Sequence, residues 1–402
     1  MKIYQVGGAV RDKLLGLPVK DRDWLVVGSS TEEMQALGFT PVGQDFPVFL
    51  HPETHEEYAL ARTERKIAPG YTGFSFHTSA DVSLEDDLRR RDLTINAMAE
   101  DEHGNLIDPF AGKQDLENGI LRHVSPAFVE DPLRVLRVAR FAARFDFKLT
   151  EQTLTLMQEI SQSGELDTLV AERVWAELEK ALAEQYPVRF FEVLQSCAAL
   201  ENIFPEIDKL FGIPQPEQYH PEIDSGVHTM MVLQLACTLT DETIIRFAAL
   251  VHDVGKGLTP KAQWPSHRGH EERSVEMIHK MCDRYRIPNK YRQLAIIVAR
   301  YHLDCHRIGE MHPHTILKKL EAIDALRRPE RFEQFLIACE ADARGRKGME
   351  NNAYPQAKFF RKAYEAAKGV DTQDLVDKGV EGHSMAEEIR QLRIAAIRKI
   401  KT

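Results

Sequence analysis

Hydrophobic and polar positions change rhythm along this chain. Up to about residue 110, short apolar runs such as WLVVG (24–28) and EEYALAR (56–62) alternate with glycine and proline turns, which predicts brief strands. Beyond about residue 128 apolar residues recur every three or four positions. EDPLRVLRVARFAARF (130–145), VWAELEKALAEQ (174–185), VRFFEVLQSCAAL (188–200) and IIRFAALVHDVGKG (244–257) predict successive amphipathic helices. Residues 211–226, FGIPQPEQYHPEIDSG, are rich in proline and glycine and read as a linker to a second helical unit. The pattern predicts an α+β protein: a small α/β head with a mixed sheet over 1–125, an all-α neck and body over 126–225, an all-α domain over 226–345 and a helical tail over 346–402. No internal repeat or low-complexity tract interrupts it.

Composition narrows the classes. A chain of 402 residues exceeds one ordinary core, so several domains are expected. With 43% hydrophobic and 28% charged residues and a mean hydropathy of −0.36, it suits a globular protein. No apolar run approaches the roughly 18–20 residues of a membrane span, and MKIYQVGGAVRD lacks an apolar signal segment. Cys197, Cys237, Cys282, Cys305 and Cys339 are odd in number and scattered, which suits a reducing cytoplasm and argues against a disulfide framework. The net charge of −10 does not advertise a nucleic-acid binder. Locally the balance differs. Arg134, Arg137, Arg140 and Arg144 fall within about a 120° arc of one helix. From Arg344 to the end, 13 Lys and Arg face 8 Asp and Glu. A local basic stripe can track a phosphate backbone.

Candidate chemistry begins at the N-terminus. Gly7-Gly8-Ala9-Val10-Arg11-Asp12 is followed within ten residues by Asp21-Arg22-Asp23. Two glycines let a turn approach a phosphate, and the helix they open aims free N–H groups at the same anion. Asp21 and Asp23, at i and i+2 on a strand, project from one face and repel unless a divalent cation lies between them. Glu57 is a third acidic candidate from a neighbouring strand. Arg89-Arg90-Arg91-Asp92-Leu93-Thr94-Ile95-Asn96 follows. Asp92 and Asn96, at i,i+4, share a helix face, where they could bond a ribose hydroxyl while Arg91 meets phosphate. Asp92 could equally cap that helix. Asp131-Pro132 is also a good helix start, and Asp131 and Arg134 at i,i+3 set an acceptor beside a donor fork. Cytosine and adenine present an amino donor beside a ring-nitrogen acceptor, whereas uracil and guanine present the reverse. A carboxylate beside a guanidinium therefore complements C and A.

GGAVRD, KDRDW, RRRDLTINAMA and EDPLRVLRVARF, in this order, closely resemble the successive motifs of the bacterial tRNA CCA-adding enzymes, the class II nucleotidyltransferases. The resemblance implies a nucleotidyltransferase head in which Gly8 and Arg11 hold the triphosphate and Asp21 and Asp23 hold Mg²⁺. Arg91, Asp92 and Asn96 would take phosphate and ribose. Asp131 and Arg134 would read the base edge, and Arg137 and Arg140 would complete the nucleotide site. The family's flexible loop would correspond to about residues 66–77. The implied reaction is in-line attack of the tRNA 3′-hydroxyl on the α-phosphate of CTP or ATP, templated by protein. The implied partners are tRNA, CTP and ATP, with no membrane, in a cytoplasmic monomer or weak homodimer.

The C-terminal half carries a second constellation. Val251-His252-Asp253-Val254-Gly255-Lys256 ends an apolar helix, with His228 one helix earlier. His267, His270, His302, Asp304, His306 and Asp342 are further candidates, His302 and His306 sharing one helix face. Imidazole and carboxylate clusters bind a divalent metal and activate water. This arrangement resembles the HD superfamily of metal-dependent phosphohydrolases, with His228, His252 and Asp253 matching its motif and either Asp304 or Asp342 as the final aspartate. CCA-adding enzymes with such a tail are similar to the multifunctional proteobacterial type. That implies phosphatase, 2′-nucleotidase and 2′,3′-cyclic phosphodiesterase activity supported by Ni²⁺. A poly(A) polymerase-like nucleotidyltransferase, and an HD phosphohydrolase with an RNA-binding head, are the competing readings.

Overall fold

The computed structural model describes residues 1–19, 21–42, 48–66, 74–77 and 81–401. The chain divides into two compact units, Met1–Ile203 and Phe204–Thr402. The first opens on a mixed sheet of strands β1 (Lys2–Val6), β2 (Asp23–Val27), β3 (Thr40–Val42), β4 (Val48–Leu50) and β5 (Glu57–Leu60). A hairpin of β6 (Thr63–Lys66) and β7 (Phe74–His77) lies apart from it, and β8 (Ala99–Glu100) and β9 (Leu106–Ile107) complete it. The sheet order is β3-β4-β5-β2-β1-β8-β9. β2 and β5 run parallel and the other neighbours antiparallel. The segment expected as a moving loop has its middle, residues 67–73, outside the described residues, while its ends pair as β6 and β7 with Lys66 opposite Phe74.

The WLVVG run forms β2 in the middle of this sheet, and strand alternation explains its apolarity. Leu25 joins a core with Val6, Leu88, Ala97 and Ala99, while Val26 joins another with Met34, Phe49 and Leu60. A central strand covered on both faces needs apolar residues at consecutive positions. Register then matters for the chemistry: Asp23, at the start of β2, is opposite Val6 at the end of β1 and opposite Glu57 at the start of β5. Gly7 and Gly8 follow Val6 directly. Pairing alone therefore brings the glycine turn and two acidic residues to one end of the sheet.

The rest of the first unit is helical. Helix Leu133–Phe145 packs on Pro187–Ser196 and Ala171–Ala183. It buries Val135, Leu136, Val138, Ala139 and Ala142, as its three-to-four periodicity predicts. The second unit is all-α, with long helices including Ser225–Leu239, Thr243–Val251, His270–Arg284, Asn289–His306, Pro329–Arg344, Pro355–Lys368 and Gly382–Lys399. Two of these begin on proline, which fits the first helical turn where its missing N–H has no partner to lose. Asp224 caps Ser225–Leu239, accepting from the N–H groups of Gly226 at 2.8 Å and Val227 at 2.9 Å. Among the described residues no helix is long and apolar enough to cross a membrane. The α+β architecture matches the expectation, but two local readings do not. RRRDLTIN does not form an α-helix of its own: Arg89 ends the helix Leu84–Arg89, and only the 3₁₀ turn Thr94–Asn96 follows. Residues 211–226 are not a linker. They fold into a closed loop in which Pro214 bridges Asp224, the Gln215 N–H donates to the Ile223 carbonyl, and Gln215 is buried.

Two candidate active sites

A cleft of about 710 Å³ lies in the first unit, against the end of the sheet where β1 and β2 place Gly7, Gly8 and Asp23. Gly7 has φ +69°, a left-handed conformation that side chains rarely adopt, and a Cβ there would lie 2.8 Å from Arg91 Nη1. The positive φ favours glycine there, and a side chain would also displace the Arg91 guanidinium. Ten Arg and Lys side chains line the cleft against five Asp and Glu, so the walls are net positive although the chain is net negative. That imbalance suits a polyphosphate.

The polar groups form one connected chain. Arg11 is buried and donates to Asn96 Oδ1 at 2.5 Å, with its guanidinium over the Phe141 and Phe145 rings. Asn96 Nδ2 donates to Asp92 Oδ1 at 3.0 Å, and Arg137 Nε donates to Asp92 Oδ2 at 2.8 Å. Asp92 also accepts from the Leu93 N–H at 2.8 Å. The Asp92–Asn96 contact expected from a helix thus forms across a 3₁₀ turn. Burial would raise the Asp92 carboxyl, but Arg137, Asn96 and Arg134 hold it well below the usual carboxylate range.

Of the three consecutive arginines, Arg89 pairs with Glu85 at 2.6 Å, and Arg90 and Arg91 find their acid in Asp87. It is fully buried, 3.0 Å from Arg90 and 3.2 Å from Arg91. The stripe on helix Leu133–Phe145 is likewise counterbalanced. Arg137 meets Asp92, Arg140 meets Glu177 at 2.5 Å, and Arg144 meets Asp12 at 2.9 Å. All three arginines also line the cleft. Arg134 is anchored differently, donating to the backbone carbonyls of Ala127 and Arg90 at 2.9 and 2.5 Å. Asp131 Oδ1 accepts from the Leu133 N–H at 3.0 Å, and Arg173 lies 3.7 Å from its other oxygen. Asp131 therefore does serve the helix start, and both Asp131 and Arg134 line the cleft.

Asp21, Asp23 and Glu57 also line it. Asp21 precedes β2 rather than lying on it. Surrounding protein holds the Asp23 carboxyl above its ordinary value, against the pull of Arg91 and with the push of Asp21. Mutual repulsion in a carboxylate pair opening on a nucleotide-sized cleft fits a site for divalent cations.

The second unit gathers a denser cluster. His228 stands on helix Ser225–Leu239, His252 and Asp253 follow helix Thr243–Val251, His270 opens His270–Arg284, His302 stands on Asn289–His306 and Asp342 on Pro329–Arg344. All six are buried. Ligand atoms of His228, His252 and Asp253, of His252, His302 and Asp342, and of Asp253, His270 and His302 lie within 4.8 Å of one another in each trio. Gly255 permits the close approach: a Cβ there would lie 2.3 Å from the His270 carbonyl oxygen.

Backbone carbonyls set the tautomers. Nδ1 of His252 donates to Ala249 O at 2.7 Å, Nδ1 of His270 to His267 O at 2.8 Å, and Nδ1 of His302 to Val298 O and Ala299 O at 3.1 Å. Nε2 of each ring then faces the carboxylates: His252 Nε2 is 3.2 Å from Asp253, and His270 Nε2 is 3.0 Å and His302 Nε2 3.6 Å from the same residue. His252 Nε2, Asp253 Oδ1 and His270 Nε2 are buried and make no hydrogen bond of acceptable geometry. Nitrogen and carboxylate lone pairs converging without mating is the donor set of a divalent transition metal, with second-layer carbonyls orienting each imidazole. The charges agree. Burial pushes the His302 imidazole down, whereas His252 is pushed up despite burial by Asp253 and Asp342.

The other candidates are placed differently. Asp304 is not in the cluster: its carboxylate pairs with Lys319 at 2.5 Å near the surface, and Asp342 occupies the position left open in the sequence. His306 Nε2 lies 2.6 Å from Asp342 and its Nδ1 2.8 Å from the Tyr354 hydroxyl. His267 bonds Thr259 and the Pro214 carbonyl, one layer out. Lys256 bridges Asp253 and Gln215, both at 2.5 Å. Asp12, Glu177, Gln215 and Glu222 were not found by sequence reasoning, and of these only Asp12 lies inside a recognised motif.

Comparison with known proteins gives three family matches along the chain. Residues 3–122 match the family described as Poly A polymerase head domain, residues 146–211 the family described as probable RNA and SrmB-binding site of polymerase A, and residues 226–343 the HD domain. The chain is 59% identical over 404 residues to the multifunctional CCA protein of Thioalkalivibrio sulfidiphilus, covering 100% of this chain and 99% of that one. It is 60% identical over 399 residues to the multifunctional CCA protein of Nitrosococcus oceani, covering 99% and 98%. A solved structure of the Bacillus stearothermophilus CCA-adding enzyme in complex with CTP is similar in fold, with TM-score 0.64 and 22% identity over 99% of this chain and 89% of that chain.

Proposed function

The chain belongs to the multifunctional CCA proteins, and on that premise we propose that it adds and repairs the 3′-terminal CCA of tRNA from CTP and ATP and hydrolyses phosphoesters at its HD site. The observation that carries the first activity is the net-positive cleft in which Gly7-Gly8, Asp21, Asp23, Arg91, Asp131 and Arg134 meet. Nucleotidyltransferase and HD domains depend on divalent metals. We assign Mg²⁺ to Asp21 and Asp23, with Glu57 beside them, and Ni²⁺ to His228, His252, Asp253, His302 and Asp342, with His270. When bound, these ions supply nucleophile activation and charge neutralisation at phosphorus.

The chain's own residues do the rest. Gly8 N–H and Arg11 receive the triphosphate, which Arg91 steadies. The Asp92–Asn96 pair holds Arg11 and Arg137 at fixed separation, so the phosphate and base ends of the nucleotide are gripped by one rigid chain. Arg134, anchored by two carbonyls, lines the cleft with Asp131, and this carboxylate–guanidinium edge suits C and A and leaves buried groups unpaired against U and G. In the HD site the Nδ1 bonds keep each Nε2 lone pair aimed inward, and Lys256 sets Asp253. A 3′ or cyclic phosphate on a damaged tRNA end removes the hydroxyl the head requires, so the two activities serve one substrate. A cytoplasmic setting suits free cysteines, none of which is paired.

A poly(A) polymerase shares the head. Incubation with tRNA ending at the discriminator base, Mg²⁺ and each nucleotide mixture separates them. Three-nucleotide extension requiring both CTP and ATP is expected, and long adenylate tails or no extension would refute the assignment.

A further inference from the structure

The closed loop at 211–226 holds Lys256 through Gln215, and it also delivers a buried carboxylate to the HD cluster. The Glu222 side chain is 2% exposed. Its Oε1 lies 2.9 Å from Nδ1 of His228, the outward nitrogen of that ring, while His228 Nε2 faces Asp342 Oδ1 at 3.1 Å. The same oxygen accepts from His220 Nδ1 at 3.1 Å. Nδ1 of His228 is buried and makes no hydrogen bond of acceptable geometry, so Glu222 Oε1 stands as its nearest polar neighbour by distance. His252, His270 and His302 all give Nδ1–H to backbone carbonyls. Nδ1 of His228 makes no such bond and faces Glu222 instead.

The loop is built to hold this carboxylate. Ile223, next to Glu222, has φ +62°, costly for a β-branched residue, and its side chain is left exposed. Gln215 N–H to Ile223 O and Gly212 N–H to Asp224 close the loop around it. From the other side, the Lys347 N–H lies 3.4 Å from Glu222 Oε2, and Arg346 reaches the Tyr219 carbonyl at 3.3 Å and stands 3.8 Å from Asp342.

We infer that Glu222 is the positioning residue of the HD metal site, a carboxylate that fixes the ring orientation and tautomer of His228 so that its Nε2 enters the coordination shell. This deepens the HD reading given above and rests on His228 being a ligand there. Such outer carboxylates on ligand histidines are worth roughly 10–100-fold in metal affinity.

The test uses the full chain and Co²⁺ alone, titrated by visible absorbance, with Asp253→Ala giving the baseline for metal bound elsewhere. Glu222→Gln is isosteric and tests orientation without emptying the site, and Glu222→Ala removes it. Expected for Glu222→Gln is an unchanged number of Co²⁺ bound, a dissociation constant weaker by about 10-fold or more, and a shifted d–d band. Metal-dependent phosphoester hydrolysis should recover at high metal while CCA addition stays as in the parent. Wild-type affinity and spectrum in Glu222→Gln would overturn the inference, whatever Glu222→Ala does. Loss of one whole Co²⁺ equivalent relative to the parent would also overturn it, because His220, Glu222 and His228 would then hold an ion of their own. If the parent binds Co²⁺ at His252 and Asp253 but hydrolyses no phosphoester, the activity reading fails while the affinity comparison still decides the role of Glu222.

Discussion

Asp92 is the joint through which the head's polar chain passes, so its replacement should be felt twice. In Asp92→Asn the Oδ1 partners, Leu93 N–H and Asn96 Nδ2, can still be served, but an amide placed where Oδ2 was would set its N–H₂ against the Arg137 Nε donor, now 2.8 Å away. Breaking one side of a buried ion pair costs roughly 3–5 kcal/mol, and a charged hydrogen bond contributes about 1.5–3. Arg137 is 36% exposed, so water recovers part of the loss, and about 2–3 kcal/mol is expected. The assay is urea unfolding in a Trp264→Phe background, which leaves Trp24 and Trp175, both in the first unit, as reporters.

The pH dependence gives the sign. The folded-state carboxyl lies below its ordinary 3.8, so its contribution is complete above that value and is lost as pH falls through the lower, folded one. The stability gap between parent and Asp92→Asn should therefore be full above about pH 5 and close progressively below pH 4. Addition of C should slow as well, with kcat/KM down about 10–100-fold as Arg11 and Arg137 lose their common brace. A variant as stable as the parent at pH 7, or a gap that does not narrow in acid, would refute the brace.

Three further outcomes are expected. Asp21→Ala should abolish nucleotide addition and spare phosphoester hydrolysis, and Asp253→Ala should do the reverse. Loss of both activities from one of these in a folded protein would defeat the two-site scheme. Gly255→Ala would set a Cβ 2.3 Å from the His270 carbonyl oxygen and 2.4 Å from the Ser274 nitrogen, both backbone atoms that cannot swing aside. A destabilisation of roughly 1–3 kcal/mol or more is expected in the second unit, with hydrolysis lost and addition intact; a wild-type metal titration would contradict it. Asp131→Ala should lower kcat/KM for CTP and ATP by about 10–100-fold while leaving misincorporated UTP nearly unaffected, measured by single-nucleotide extension. Equal losses for all nucleotides would limit Asp131 to its helix-start role.

What could be read from the sequence was whatever the chemistry keeps close in the chain. Gly7-Gly8, Asp21-x-Asp23, Asp92 with Asn96 and His252-Asp253 are short-range patterns, and each lines a cleft or joins a cluster in the fold. Their partners come from far away. Arg144 meets Asp12 across 132 positions, His228 meets Asp342 across 114, and Arg140 meets Glu177 across 37. No window of sequence contains either end's reason for being there. Composition also misled where tertiary burial overrode it. Prolines and glycines at 211–226 signal a linker, yet they make the tight turns that bury Gln215 and aim Glu222 at His228. Local propensity cannot distinguish a loop that floats from one that is folded onto a site.

The two aspartates offered as the last metal ligand show the limit most plainly. Asp304 is two residues from His302 and looks like its companion. On an α-helix two residues subtend about 200°, so a side chain at i+2 leaves by nearly the opposite face. His302 is buried in the cluster, and Asp304 accordingly reaches outward to Lys319. His306, four residues on, returns to the same face and meets Asp342. Helical geometry alone therefore excludes Asp304 once His302 is placed inward. A buried metal site whose imidazoles come from helices must then draw its second carboxylate from another element, which is what helix Pro329–Arg344 supplies in Asp342.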